Sequence, residues 1–161
     1  MTVNWRSWVA AGLAAGMFLM LSGVILAHGV LGPSYMASFR AHMPVPPGGM
    51  TIAKNIGVRF LLGFTAVFVV VGFRQRFGRG PKTALYAGTA VWAAANIPLA
   101  LALGQFGILT GGKLWVSLIW NLVEAWIACL VGGWVYRERA GADAGADAGA
   151  DAGRPGAPRA T

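Results

Sequence analysis

The sequence predicts an all-α fold: a four-helix transmembrane bundle with both termini in the cytoplasm and a disordered C-terminal tail. Three observations carry this. Of 161 residues, 57% are hydrophobic and only 11% charged, whereas soluble domains carry about 25% charged residues. A chain this short and apolar has too little polar surface to fold around one water-soluble core. The apolar residues also gather into four runs, about 8–31, 56–73, 83–103 and 114–136. Each is long enough to cross a hydrocarbon layer of about 30 Å at 1.5 Å per residue. Backbone groups in lipid must bond within the chain, so the runs are expected to be helices. Finally, the net charge is +8 and the pI about 10.9, yet the basic residues stand mostly at the ends of the runs. That placement fits anionic lipid headgroups as partners, and not nucleic acid.

The first run follows Arg6. Ala27 would serve as a cleavage site if the run were a signal peptide. Its apolar length exceeds the ~7–15 residue core of a signal, so a retained span is expected. Gly12, Gly16 and Gly23 fall on one face, and Gly12–Gly16 is a GxxxG pair that permits close helix approach, within the bundle or between protomers. His28 lies well away from that face, near the end of the run.

The loop GPSYMASFRAHMPVPPGGM follows. Ser34 is expected to cap a short helix after Pro33. Tyr35, Met36, Phe39 and Met43 would form its apolar face on the membrane surface, and MPVPPGG would end it. His28, His42, Met36, Met43 and Met50 include soft-metal donor types. The methionines fit an interfacial apolar face equally well, and no metal or cofactor is assigned.

In the second helix, Asn55, Arg59, Gly63, Ala66 and Val70 share one arc at 100° per residue, and Phe60, Phe64 and Phe68 line another. The turn RQRFGRGPK is no phosphate-binding loop; Pro81 is expected to start the third helix. Within that helix, Pro98 removes one backbone bond and leaves the carbonyl of Ala94 without its usual donor, beside Asn96.

The last run contains SLIWNLVEAWIACLVGGWVY. Ser117, Asn121, Glu124, Ala128 and Gly132 fall within an arc of about 80°. Trp115 and Trp126 project to the opposite side, toward lipid, and Trp115 and Trp134 mark the two ends as an aromatic belt would. The lone Cys129 reads as a small packing residue. Glu124 sits mid-span, where insertion scales charge about 2.5–3.5 kcal/mol for such a group. Arg59 is the opposite charge well inside the spans. The two are expected to pair, directly or through Asn121 or a water, with Asn96 close by. The cluster Arg59, Asn96, Asn121 and Glu124 is then either internal glue between helices or the lining of an outward-facing cavity. Gly63 and Gly132 add to the small-residue packing positions.

Charge sets the orientation. Nine basic residues fall on the side shared by the termini and the 74–82 loop, against Arg40, Lys54, Arg59 and Lys113 on the other. The positive-inside rule places both termini in the cytoplasm. Residues 1–139 form the membrane domain, and the repeating Gly/Ala/Asp tail 140–161 is expected to be disordered.

The segments LAHGVLGPSYMA, FRQRFGRGPKTALYAGTAVW and IWNLVEAWIACLVGGWVYRE together resemble a family of small bacterial four-helix integral membrane proteins of unknown function. The resemblance covers roughly residues 5–139. It implies a four-helix membrane protein and brings no activity or site residues; the expected location is the bacterial inner membrane. Likeness to small multidrug transporters is weaker: their membrane Glu is in the first helix, whereas Glu124 is in the fourth. The expected function is a non-catalytic accessory or assembly subunit of a membrane complex, with another membrane protein or a second copy as partner. The alternatives are a small proton- or ion-coupled transporter using the Glu–Arg pair, and an enzyme acting on lipid-like substrates.

Overall fold

Helix starts and stops in this chain are set by turn chemistry at least as much as by hydrophobicity. The structure, a computed structural model, describes residues 4–42 and 48–136. Asn4 caps α1 (Trp5–Val24), its Oδ1 accepting from the Ser7 amide at 3.4 Å. The chain then passes directly into a π-helical segment, Ile25–Val30. Gly32, with φ +73°, ends that segment. The short helix α2 (Gly32–Ala41) follows, then α3 (Gly49–Phe77), α4 (Pro81–Gln105) and α5 (Gly112–Val135). Four helices are long and apolar enough to cross a membrane: α1 with its π extension, α3, α4 and α5. No strand occurs among the described residues. The described residues are thus all-helical, and their four long apolar helices fit a membrane protein.

Several boundaries differ from the apolar runs. The second helix begins at Gly49 and ends at Phe77, well outside 56–73. Polar straight-chain residues such as Lys54, Arg74, Gln75 and Arg76 are good helix formers, so hydropathy ends before the helix does. The others run 81–105 and 112–135, against 83–103 and 114–136, and the first begins at Trp5 rather than residue 8. Ser34 does not cap α2, because Gly32 and Pro33 already form its first turn. Its hydroxyl instead accepts from Lys113 Nζ at 2.6 Å, tying α2 to the start of α5. Pro98 lies inside α4, and the helix continues through it. Met43, Arg137, Arg139 and the tail 140–161 lie outside the described residues.

The spanning helices pack as a flattened rhombus. α1 lies against α3 and α5, α4 lies against α3 and α5, and α3 meets α5 across the short diagonal. Neighbours along the sides are antiparallel, while α3 and α5 run parallel. Small residues permit the close approaches. Gly63 of α3 faces the backbone of Gly16 in α1, Gly12 and Gly16 receive the rings of Phe64 and Phe60, and Gly132 of α5 receives Val67. Phe68, the third phenylalanine of that series, is exposed. One buried cluster joins Ala11, Ala15, Leu19, Val67 and Ala128. A second joins Ala66, Val70, Ala84, Ala87 and Cys129. Gly88 brings α4 onto Ala125 and Trp126.

Trp126 is therefore not directed fully to lipid. It is half-buried, and its Nε1 donates to Thr89 Oγ1 at 2.9 Å, an exposed bond that ties α5 to α4 at the bundle surface. Trp115 and Trp134 are strongly exposed near opposite ends of α5. The α3–α4 turn is closed by Gly78, φ +76°, whose amide donates to the Arg74 carbonyl. Buried Thr83 donates to the Gly78 carbonyl at 2.8 Å. Thr83→Val keeps the shape and removes this bond, so it should cost about 1 kcal/mol. A lower midpoint of thermal unfolding in detergent is the expected reading; an unchanged midpoint would show that water replaces the hydroxyl.

Candidate functional site

The parallel pair α3 and α5 carries Arg59 and Glu124 on facing stripes, and helical spacing makes those stripes. On α5, positions 117, 121, 124, 128 and 132 recur every three or four residues and turn to one side. Ser117, Glu124, Ala128 and Gly132 are buried there, with Asn121 half-buried. On α3, Gly63, Ala66 and Val70 are buried along the same arc as Arg59. Asn55, one turn earlier, is exposed.

Arg59 Nη1 donates to Glu124 Oε1 at 3.5 Å. The two ends of the pair differ: the Glu124 side chain is 3% exposed and the Arg59 side chain 28%. Glu124 is also the sole carboxylate among the described residues. The separation is longer than the ~2.7–2.9 Å usual for a charge-assisted bond. Beside it is a cavity of 20 Å³ lined in part by Arg59, Asn96, Asn121 and Glu124. That is about the space one water needs. Gly23 of α1 makes room for the guanidinium, since a Cβ there would sit 2.6 Å from Arg59 Nη2.

Neighbouring polar groups hold α5 in register. Asn121 Nδ2 donates to the Ser117 carbonyl at 2.8 Å and to Ser117 Oγ at 3.2 Å. Trp120 Nε1 donates to buried Ser22 Oγ at 3.0 Å. Trp92 Nε1 donates to the Leu118 carbonyl at 3.0 Å. Sequence reasoning missed Ser22, Trp120 and Trp92. A hydroxyl next to Gly23 was the available signal for Ser22; the two tryptophans read as apolar and gave none.

Comparison with family models, with curated proteins and with solved structures finds no match to this chain.

A larger cavity, 390 Å³, opens on the other side of Arg59, toward the end of the bundle that carries α2. Its polar lining includes Lys54, Asn55, Arg59, Asn96, Ser117 and Asn121; its apolar lining includes Leu62, Leu103 and Leu109. Tyr35 and Phe39 of α2, stacked at 6.1 Å, close part of it. Burial pushes the Tyr35 phenol above its ordinary pKa, with the charge of Arg59 pulling the other way. The π segment contributes Leu26 and Ala27, and Leu31 follows just after it. The structure thus brings Arg59, Asn96, Asn121 and Glu124 around one small cavity, and three of them also face the larger one. Arg59 is the group common to both cavities and to the ion pair. His28 stands apart, its Nδ1 3.2 Å from the Val24 carbonyl. No group of three or more His, Cys, Asp or Glu side chains is gathered among the described residues.

Proposed function

We propose that this chain is a small ion-coupled transporter of the bacterial inner membrane, with both termini in the cytoplasm and the α2 end facing outward. The observation that supports it is the unequal burial of the pair. Arg59 can be reached from a cavity of ligand size, whereas Glu124 is sealed beneath it. Such a volume falls in the ~300–1,000 Å³ range of small-molecule sites. A ligand that engages Arg59 weakens its hold on Glu124. A carboxylate left unpaired in hydrocarbon is carried at least cost as the neutral acid, so ligand and proton become coupled. The orientation follows from the positive-inside rule.

The test is access. Asn96→Cys, made with Cys129→Ser, should react with a membrane-impermeant thiol reagent added outside spheroplasts. Ala87→Cys in the same background, a fully buried position, should not. An unreactive Asn96→Cys would leave the pair as sealed glue. Glu124→Gln should stay monodisperse in detergent and lose proton-linked flux in proteoliposomes; flux equal to wild type removes the coupling.

A second reading, an accessory subunit or homo-oligomer, draws support from α4. Ala90, Ala93 and Ala94 are exposed there, and small residues are typical of membrane helix interfaces. A partner retained through mild-detergent copurification would favour it; a lone monodisperse monomer would count against it.

A further inference from the structure

The geometry points to a substrate class for the larger cavity: an amphipathic acid, with an apolar body and a single carboxylate or phosphate head, entering sideways from the lipid between α3 and α4. The inference rests on the proposed reading that the cavity is a ligand site.

Three features support it. The first is a lateral opening. α3 and α4 share the buried cluster Ala66, Val70, Ala84 and Ala87 toward the α3–α4 turn. Toward the α2 end, Val58 and Leu99 line the cavity and are 55% and 56% exposed. The cavity wall between those helices thus reaches the bundle's outer apolar surface, where an apolar body would already be dissolved.

The second is the lining. Leucines from α3, α4 and the α4–α5 turn surround an apolar volume, closed at one end by Tyr35 and Phe39. Apolar walls with a few convergent polar groups are the usual build of a site for a largely apolar ligand.

The third is charge. Lys54 and Arg59 are the charged groups of the lining, one helical turn and a residue apart on α3, and no carboxylate joins them. Glu124 offsets only one of the two, and it lies in the smaller cavity below. The lining therefore carries one cation in excess. Arg59 presents a planar fork suited to carboxylate or phosphate, and Lys54 a point charge nearer the headgroups. A cationic substrate would meet both of these groups on its way to Glu124.

Photolabelling tests this on the full chain in nanodiscs. The probe is a palmitic acid analogue with a diazirine at its tail, and adducts are mapped by mass spectrometry. Adducts should concentrate on the cavity positions Leu62 and Leu103, and exceed those on the lipid-facing Leu61 and Leu101. Palmitate or one-chain lysophosphatidate should suppress them, and the better competitor identifies the head as carboxylate or phosphate. Hexadecanol, of equal chain length and neutral head, should not suppress them. Lys54→Gln, exposed and outside the ion pair, should lower cavity labelling about two- to five-fold, the range of an exposed ion pair. Equal competition by hexadecanol overturns the acid while leaving a ligand cavity in place. Labelling spread evenly over lipid-facing residues overturns the proposal too. In that case a reactive Asn96→Cys would still preserve the reading beneath it.

Discussion

Arg59→Ala should be among the most damaging single substitutions in this chain, costing about 3–5 kcal/mol, because it strands a buried carboxylate. Glu124 is 3% exposed at its side chain and has no other cation in reach. The opposite truncation is milder. In Glu124→Ala the guanidinium, 28% exposed, keeps its path into the larger cavity and toward the headgroups, as long basic side chains do. The expected order of thermal stability in detergent is wild type, then Glu124→Ala, then Arg59→Ala. The double variant should recover part of what Arg59→Ala loses. Strict additivity of the two changes would falsify the pair as an energetic unit. This cycle is independent of whether the pair serves transport, since glue and gate both require the coupling.

Two glycine-to-alanine changes in one helix should move stability in opposite directions. A Cβ at Gly63 would lie 2.6 Å from Gly16 Cα and 2.8 Å from the Gly12 carbonyl. Those are backbone atoms of α1, so the helices themselves must separate. Overpacking of this kind costs about 1–3 kcal/mol and often more when backbone has to move. Gly57, less than two turns away in α3, has nothing within 4 Å of its notional Cβ. Gly57→Ala meets no obstacle and removes the entropic penalty of a mid-helix glycine, about 0.5–1 kcal/mol. Unfolding midpoints in one detergent should therefore fall for Gly63→Ala and hold or rise for Gly57→Ala. A fall of equal size in both would mean that α3 needs its glycines for flexibility and not for contact.

The contrast also shows what the sequence makes legible. The four spans follow from length and apolarity, and a 3.6-residue period suffices to put Ser117, Asn121, Glu124, Ala128 and Gly132 on one face of α5. Period says which residues share a face; it does not give the distance across to another helix. The 3.5 Å pair depends on how far α3 stands from α5, and the two cavities on how all four spanning helices are spaced at each depth. The π segment has no compositional signature, since its residues would equally suit an α-helix. Ser34 looked like a cap because Ser prefers that position, but Gly32 and Pro33 place the turn two residues earlier. Trp126 projects away from the polar stripe, yet it finds Thr89 because α4 closes onto that side of α5. These differences share a cause: tertiary neighbours decide among conformations that local sequence leaves nearly equal.

The order of synthesis adds a consequence of the parallel α3–α5 diagonal. Arg59 leaves the ribosome 65 residues before Glu124. At about 5–20 residues per second, the arginine waits roughly 3–13 s for its counter-ion. During that interval α3 carries an unneutralised guanidinium, which insertion scales penalise by up to about 3.5 kcal/mol at the centre of a span. Its tether to the headgroups is short, because Lys54 and the start of α3 are close by. α3 is therefore expected to settle to its final depth once α5 supplies Glu124, so that a later helix completes the placement of an earlier one.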